Sequence, residues 1–500
     1  MLEKHWVDAP AQRESEHGSR PLYVSLERSL LRASLQSEIL LALITAAPGE
    51  LLRLPRCVLG GRAKVRELLV RQAALIEPSG MPYNQDLLAY LRQERRRGRQ
   101  IVLVTESSLE LAERTARALE LFDSVICSCE GMPSREGMAP GAHSTLSRIL
   151  DDTGGQPFDY IGGGEEDLEI WRAAHCAIVT GGSQALVSAA RGSAPSSVVI
   201  PERESSGIQP WLKALRPHQW VKNLLVFLPL LAAHRYLEPN LVLSAALAFI
   251  ALSLAASGTY IINDLLDLRA DRQHPTKRLR PFASGSLTIG QGGLLIPVCL
   301  AAAAAISAAL PVDFRLTLGL YVVLTLAYSC HLKRVPMVDV LVLSSLFTLR
   351  VFAGGAAVAI APSFWLLAFS VFIFLSLALV KRYIELQNLR DAGRNMAAGR
   401  GYHIDDLPLL LSMGIASGFV SVLVVALYVN SPEIHILYRY PVAIWALCIV
   451  HLYIVARMWM TAHRGDMHDD PVVFVLRDRG CLLALAIAAI AIVLAGPALL

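Results

Sequence analysis

The chain has 500 residues, more than one hydrophobic core usually organises, so at least two domains are expected. Its formal net charge of +4 is small and gives no basis for a nucleic-acid-binding role. The eight cysteines (57, 127, 129, 176, 299, 330, 448 and 481) are scattered without paired zinc spacing. They read as free buried thiols in a reducing compartment.

In chain order, residues 1–20 are polar, with no apolar signal-peptide core, and read as a disordered N-terminus. Residues 21–200 mix apolar runs with charged stretches such as Arg92–Arg99, as a soluble domain does. Short β-rich runs (Leu22-Tyr-Val-Ser25, Ile101-Val-Leu-Val-Thr105, Phe158-Asp-Tyr-Ile161) are each followed by a helix-like stretch. That alternation predicts a doubly wound, Rossmannoid α/β domain. Residues 193–210 are rich in Ser, Pro and Gly and read as linker sequence, and 201–211 is taken as the connection between the two domains. Gly181-Gly182-Ser183 reads as a turn and not as a phosphate loop.

Residues 212–500 form a train of apolar stretches. A hydrocarbon core about 30 Å thick needs roughly 20 helical residues to cross. Nine spans are expected, near 224–236, 241–262, 292–310, 316–331, 338–360, 364–380, 407–429, 442–456 and 482–500. The connections after the second, fourth, sixth and eighth carry Arg269, Arg272, Lys277, Arg278, Arg280, Lys333, Arg334, Lys381, Arg382 and further Lys and Arg. The other connections hold only Arg235, Arg315 and Arg439. The positive-inside rule puts the basic side, and with it the N-terminal domain, in the cytoplasm.

The cytoplasmic end of the second span reads Asn263-Asp264-xx-Asp267-xxx-Asp271, then His274, Lys277 and Arg280. On one continuous helix the three acids would share a face, at i, i+3 and i+7. Carboxylates so close repel unless a cation sits between them, and Mg²⁺ typically bridges one or two carboxylates to substrate phosphates. Asp264, Asp267 and Asp271 are the candidate metal ligands. Asp264, Asp267, Lys277 and Arg280 are the candidate catalytic set, the two cations neutralising a leaving diphosphate. Candidate substrate-binding residues are Lys222, Asn223, Asn263, Tyr328, Lys333, Asp339, Arg350, Lys381 and Arg382. Arg350, deep in an apolar span, reads as a phosphate ligand or as half of a structural ion pair. For Lys381 and Arg382, topology alone is an equal explanation.

These motifs resemble the UbiA prenyltransferase superfamily. Arg216-Pro-His-Gln-Trp-Val-Lys222-Asn223, His274-Pro…Lys277…Arg280-Pro, Tyr328-Ser-xx-Leu-Lys333 and Leu349-Arg350-xxx-Gly354-Gly355 resemble its decaprenyl-phosphate phosphoribosyltransferases. The resemblance implies an all-α, nine-helix membrane bundle over 212–500 and Mg²⁺ as cofactor. It implies transfer of 5-phosphoribose from phosphoribosyl diphosphate to a polyprenyl phosphate, at a bacterial inner membrane, for cell-envelope glycan precursors. In the family's second acidic motif only Asp339 remains. Prenyl transfer from a polyprenyl diphosphate to an aromatic acceptor is the alternative, and a transporter or scaffold the weaker one. A homo-oligomer is left open.

The order of elements in 21–200 resembles the haloacid dehalogenase-type phosphatase fold, with a helical cap from Leu35 to about Met81. At the positions that fold uses for catalysis stand Ser25, Glu27, Arg28, Ser29, Thr105, Gly163 and Asp167, and no Lys lies near 139–143. Ser25 is a poor substitute for a carboxylate nucleophile, so an inactive scaffold, regulatory or partner-binding domain is expected. Deleting 1–200 is then expected to spare the membrane chemistry.

Overall fold

The structure, a computed structural model, describes residues 20–46, 49, 76–106, 108–128, 145–181, 184–200, 207–274, 276–393, 401–467 and 470–496. The chain divides into two compact units, Met1–Ala214 with Asp264–Gly293, and Leu215–Asn263 with Leu294–Leu500.

In the first unit, strands β1 (Leu22–Ser25), β2 (Ile101–Thr105), β3 (Ser124–Cys127), β4 (Asp159–Gly162), β5 (Cys176–Thr180) and β6 (Ser196–Ile200) form one parallel sheet. Their order is β3-β2-β1-β4-β5-β6. Because strand side chains alternate, each strand feeds two cores. Leu22, Val24, Ile101, Leu103, Ile161 and Ile178 bury on one face with helices α1 (Leu35–Ala46), α2 (Gln85–Arg96) and α3 (Leu109–Leu119). Tyr23, Val102, Val104, Tyr160, Ala177 and Val179 bury on the other, with α4 (Thr145–Thr153), α5 (Leu168–Ala173) and α6 (Gln184–Ser193). A sheet buried on both faces explains the near-continuous apolar runs in its sequence.

Two expectations need correction here. Residues 196–200 are not linker: Ser196–Ile200 pairs in parallel with β5 as the edge strand. The cysteines are not all free buried thiols either, since Cys127 is disulfide-bonded and Cys330 is exposed. Of the expected cap, α1 is seen and 50–75 lie outside the described residues, as do 1–19 and 139–143.

Helix α7 (Gln209–Leu215) leads into the second unit. There, among the described residues, seven helices are long and apolar enough to cross a membrane, or eight if a bent pair counts as one span. They are α9 (Pro239–Leu266), α11 (Ile289–Ser307), α12 (Val312–Cys330), α13 (Val338–Val358), α14 (Phe364–Asp391), α15 (Leu407–Val429) and α17 (Trp445–His463). Between these lie α8 (Leu228–Ala232), α10 (Leu268–Gln273) and α16 (Pro432–Leu437). The bent pair is α18 (Pro471–Arg477) and α19 (Arg479–Ala495), with 78° between them.

Nine long helices are therefore not found, and the exception is the first expected span. Pro217–Phe227 is a 3₁₀-helix of 11 residues, followed by the 5-residue α8 with Pro229 in its first turn. At about 2.0 and 1.5 Å per residue these two pieces rise roughly 30 Å, close to a hydrocarbon thickness. They run alongside α13 in the same direction. Asn223 faces Arg350, the Val226 carbonyl faces Gly354, and Leu230 packs with Val358. A Cβ at Gly354 would lie 2.0 Å from the Val226 oxygen, so only glycine admits this approach. The outward faces of the long helices carry large apolar side chains such as Leu294, Leu316, Ile449 and Val493, suited to lipid contact.

Candidate active site

Helix α9 stops at Leu266, and Asp267 becomes the N-cap of α10. The expected single helix through Asp264, Asp267 and Asp271 is thus broken. Stacked carboxylates at a helix C-terminus oppose the macrodipole, whereas an acid at a helix N-terminus is favoured. The break still brings two of the three acids together. Arg280 Nη1 donates to Asp264 Oδ1 at 3.1 Å and to Asp271 Oδ2 at 2.5 Å. Both carboxylates are buried, at 2% and 3% exposure, while Asp267 is half-buried and outside this pair. Lys277 sits in the turn before Arg280, its backbone N–H donating to His274 Nδ1 at 3.4 Å.

Among the described residues no three His, Cys, Asp or Glu are arranged to hold a metal ion. Two hard oxygen donors nevertheless converge on a single cationic nitrogen. That donor set fits Mg²⁺, which needs only one or two carboxylates when phosphates complete its shell.

The second unit assembles a separate set of cations. Arg350 is buried at 5% exposure on α13. Its Nε donates to Asn223 Oδ1 at 2.8 Å, Nη1 to the Leu346 carbonyl at 2.5 Å and Nη2 to the Tyr321 hydroxyl at 3.0 Å. It also lies 5.0 Å from the Tyr321 ring centre and 5.3 Å from that of Phe347. Asn223 is fixed in turn by donating to Ser253 at 2.9 Å. Every partner of Arg350 is neutral, and among the described residues it has no acidic counterion.

Lys222 also lies near Phe347, 5.8 Å from the ring centre, and donates to Asp470 Oδ2 at 2.8 Å. Lys381 approaches the same oxygen at 4.0 Å. Burial pushes the Asp470 carboxyl up, but Lys222 and Lys381 outweigh it and hold it below the usual carboxylate range. Sequence reasoning missed Asp470. Its signal was available, since an Asp before a Pro marks a helix N-cap, and its side chain accepts from Val472 N–H at 3.1 Å.

Lys222 borders a cavity of about 480 Å³ in the second unit, walled otherwise by apolar side chains from the 3₁₀ segment, α13, α14, α17, α18 and α19, with His451 as the other polar residue. His451 Nε2 is 2.8 Å from the Ser421 hydroxyl. The remaining predicted residues have direct partners of their own. Lys333 donates to Asn263 Oδ1 at 3.2 Å. Asp339 and Arg382 are fully buried and form an ion pair at 2.7 Å, with Tyr402 donating to Asp339 and Glu385 accepting from Arg382. Tyr328, half-buried on α12, is within electrostatic reach of both. Tyr402 had no local sequence signal.

In the α/β domain, Ser25, Glu27, Arg28, Thr105 and Asp167 do gather at the carboxyl ends of β1, β2 and β4, where the strand order reverses. A guanidinium fills the centre. Arg28 bonds Asp167 at 2.8 Å and Glu106 at 2.5 Å, and pairs with Glu166 at 2.8 Å. Burial opposes its charge, but Asp167 and Glu106 outweigh it and hold the guanidinium protonated above its ordinary range. Asp167 also accepts from Gly163 N–H, Gly164 N–H and the Tyr160 hydroxyl. Glu27 accepts from Thr105 at 2.6 Å. A Cβ at Gly163 would lie 2.2 Å from the Arg28 carbonyl oxygen.

Similarity to known proteins converges on the membrane region. The model of the UbiA prenyltransferase family matches residues 224–482. The chain is 34% identical over 476 residues to the uncharacterized protein y4nM of Sinorhizobium fredii, covering 93% of this chain and 90% of that one. It is 36% identical over 285 residues to the nodulation protein NoeC of Azorhizobium caulinodans, covering 55% and 91%. With the decaprenyl-phosphate phosphoribosyltransferase of Corynebacterium glutamicum it shares 39% identity over 179 residues, 35% of this chain and 54% of that one. The family match spans more than half of the chain and falls on the helices that carry the acidic pair and the buried arginines, which makes this protein a member of the UbiA prenyltransferase family.

Proposed function

We propose that this UbiA-family membrane transferase moves 5-phosphoribose from phosphoribosyl diphosphate to a polyprenyl phosphate. The observation that carries this reading is the presence of two separate constellations suited to phosphates. Asp264, Asp271 and Arg280 suit a metal-bound diphosphate, while Lys222 and Lys381 share the carboxylate of Asp470 and Arg350 has only neutral partners among the described residues. Transfer between two phosphorylated substrates needs both. A buried guanidinium without a counterion is costly, and a substrate phosphate would supply the missing charge. The apolar cavity ending at Lys222 suits a prenyl chain with an anionic head.

In this reading the bond from ribose C1 to the diphosphate oxygen breaks, and a bond from C1 to a lipid phosphate oxygen forms. Mg²⁺ held by Asp264 and Asp271, with Asp267 beside them, would supply Lewis-acid stabilisation of the departing diphosphate. Arg280 and Lys277 add positive charge where negative charge accumulates. Lys222, Lys381 and Arg350 hold and orient the lipid phosphate, which is already anionic and needs no strong base. The Lys- and Arg-rich connections support a cytoplasmic face for this chemistry, in this reading at a bacterial inner membrane.

Lys222→Ala is expected to raise KM for polyprenyl phosphate about tenfold or more, with a smaller effect on kcat, because a charge-assisted bond is worth about 1.5–3 kcal/mol. Transfer of label from phosphoribosyl diphosphate into extractable lipid measures it. An unchanged KM would remove Lys222 from the lipid site.

The α/β domain is a haloacid dehalogenase-like domain that has lost its chemistry, Arg28 standing in for the cation. Gly163→Asp, which restores the acid, is expected to destabilise the domain by about 1–3 kcal/mol through overpacking. It is expected to leave p-nitrophenyl phosphate hydrolysis at background with Mg²⁺. Hydrolysis appearing in this variant would contradict the built-in block.

A further inference from the structure

The first unit includes residues 264–293 as well as the α/β domain. Arg272, directly after Asp271, donates from Nη1 to Glu38 Oε2 at 2.9 Å and from Nη2 to Glu38 Oε1 at 2.5 Å. Both side chains of this fork are buried, at 7% and 8% exposure. Glu38 is fixed by α1, whose Leu35, Ile39 and Leu43 lie in the domain core. Helix α10 also packs against the 3₁₀ turn Pro78–Gly80. Further along, Gly285 has φ +77°, and a Cβ there would sit 3.0 Å from Arg32 Cβ and 3.4 Å from Pro82 Cβ.

The α/β domain thus touches the segment directly after Asp271 and again beyond Arg280. We infer that it serves as a built-in positioning clamp, in which Glu38 holds Arg272 and so sets where Asp271 and Arg280 stand for the diphosphate. This deepens the transferase reading and rests on it. A buried Arg–carboxylate fork recovers its desolvation cost only in good geometry, so its main product is orientation. Supporting residues of this kind typically change metal affinity or activity by about 10–100-fold when removed. Glu38 and Arg272 are positioning residues; neither is placed on the reacting atoms.

The test uses the full chain in lipid nanodiscs, as wild type, Glu38→Gln and the charge-swapped pair Glu38→Arg with Arg272→Glu. Hydrogen exchange over 268–285 reads the clamp without any activity. The Mg²⁺ and phosphoribosyl diphosphate dependence of label transfer reads its consequence. The expected result for Glu38→Gln is faster exchange confined to that segment, with β1 and β2 unchanged. Its KM for the diphosphate donor rises about tenfold with kcat less affected, and the swapped pair recovers part of the loss. Unchanged exchange and KM would overturn the inference. So would faster exchange throughout the domain with no recovery in the swapped pair, which marks a merely structural bond. If wild type itself transfers no label, the transferase reading fails, and exchange alone still decides for or against the clamp.

Discussion

Asp264→Asn is expected to abolish transfer, by roughly a thousandfold or more, while leaving the protein folded. Asp264 is one of two buried carboxylates on Arg280 Nη1, at the end of a membrane-length helix. Losing a metal-ligand charge forfeits several kcal/mol of transition-state stabilisation, and each 1.36 kcal/mol is tenfold in rate. Asn keeps the shape and can still accept from Arg280, so the thermal midpoint in detergent should shift little. Asp267→Asn is expected to cost less, because Asp267 stands at the N-cap position of α10, half-buried and outside the Arg280 pair. Label transfer with a parallel thermal melt checks both. An Asp264→Asn enzyme near wild-type rate would remove this carboxylate from the metal site, and equal losses at both positions would restore a three-acid site.

Arg382→Ala is expected to give the largest stability loss, about 3–5 kcal/mol, since it leaves the charge of Asp339 buried without its partner. Both side chains are fully buried, and among the described residues the Tyr402 hydroxyl is the hydrogen-bond partner that would remain on Asp339. The double replacement Asp339→Leu with Arg382→Leu should recover much of the loss, because no charge is stranded. Thermal unfolding of the purified protein in detergent decides. A variant with an unchanged midpoint but a raised KM would instead make Arg382 a phosphate ligand. Asp339 is thus engaged by an arginine and a tyrosine.

Patterns with a fixed period were readable before any coordinates. The parallel sheet follows from apolar runs at β1, β2 and β4, and most spans from their length. The acidic motif was legible as residue types but not as geometry, since the helix break at Asp267 follows from helix-end electrostatics. The first span was misjudged because a 3₁₀ segment reaches farther per residue than an α-helix. Residues that meet only through tertiary structure left little trace. Tyr321 sits in an unremarkable apolar run, Tyr402 in a polar connection far from Asp339, and Asp470 lies far along the chain from Lys222. The same holds for Glu38 and Arg272, a buried pair whose members lie 234 positions apart.

The most direct test of the central claim is a two-arm transfer assay on the purified full-length protein with Mg²⁺. One arm receives labelled phosphoribosyl diphosphate and polyprenyl phosphate; the other receives polyprenyl diphosphate and 4-hydroxybenzoate. The account predicts label entering the lipid in the first arm, lost with EDTA and in Asp264→Asn, and no product in the second. Product in the second arm alone would contradict it and make the protein a prenyltransferase with an aromatic acceptor.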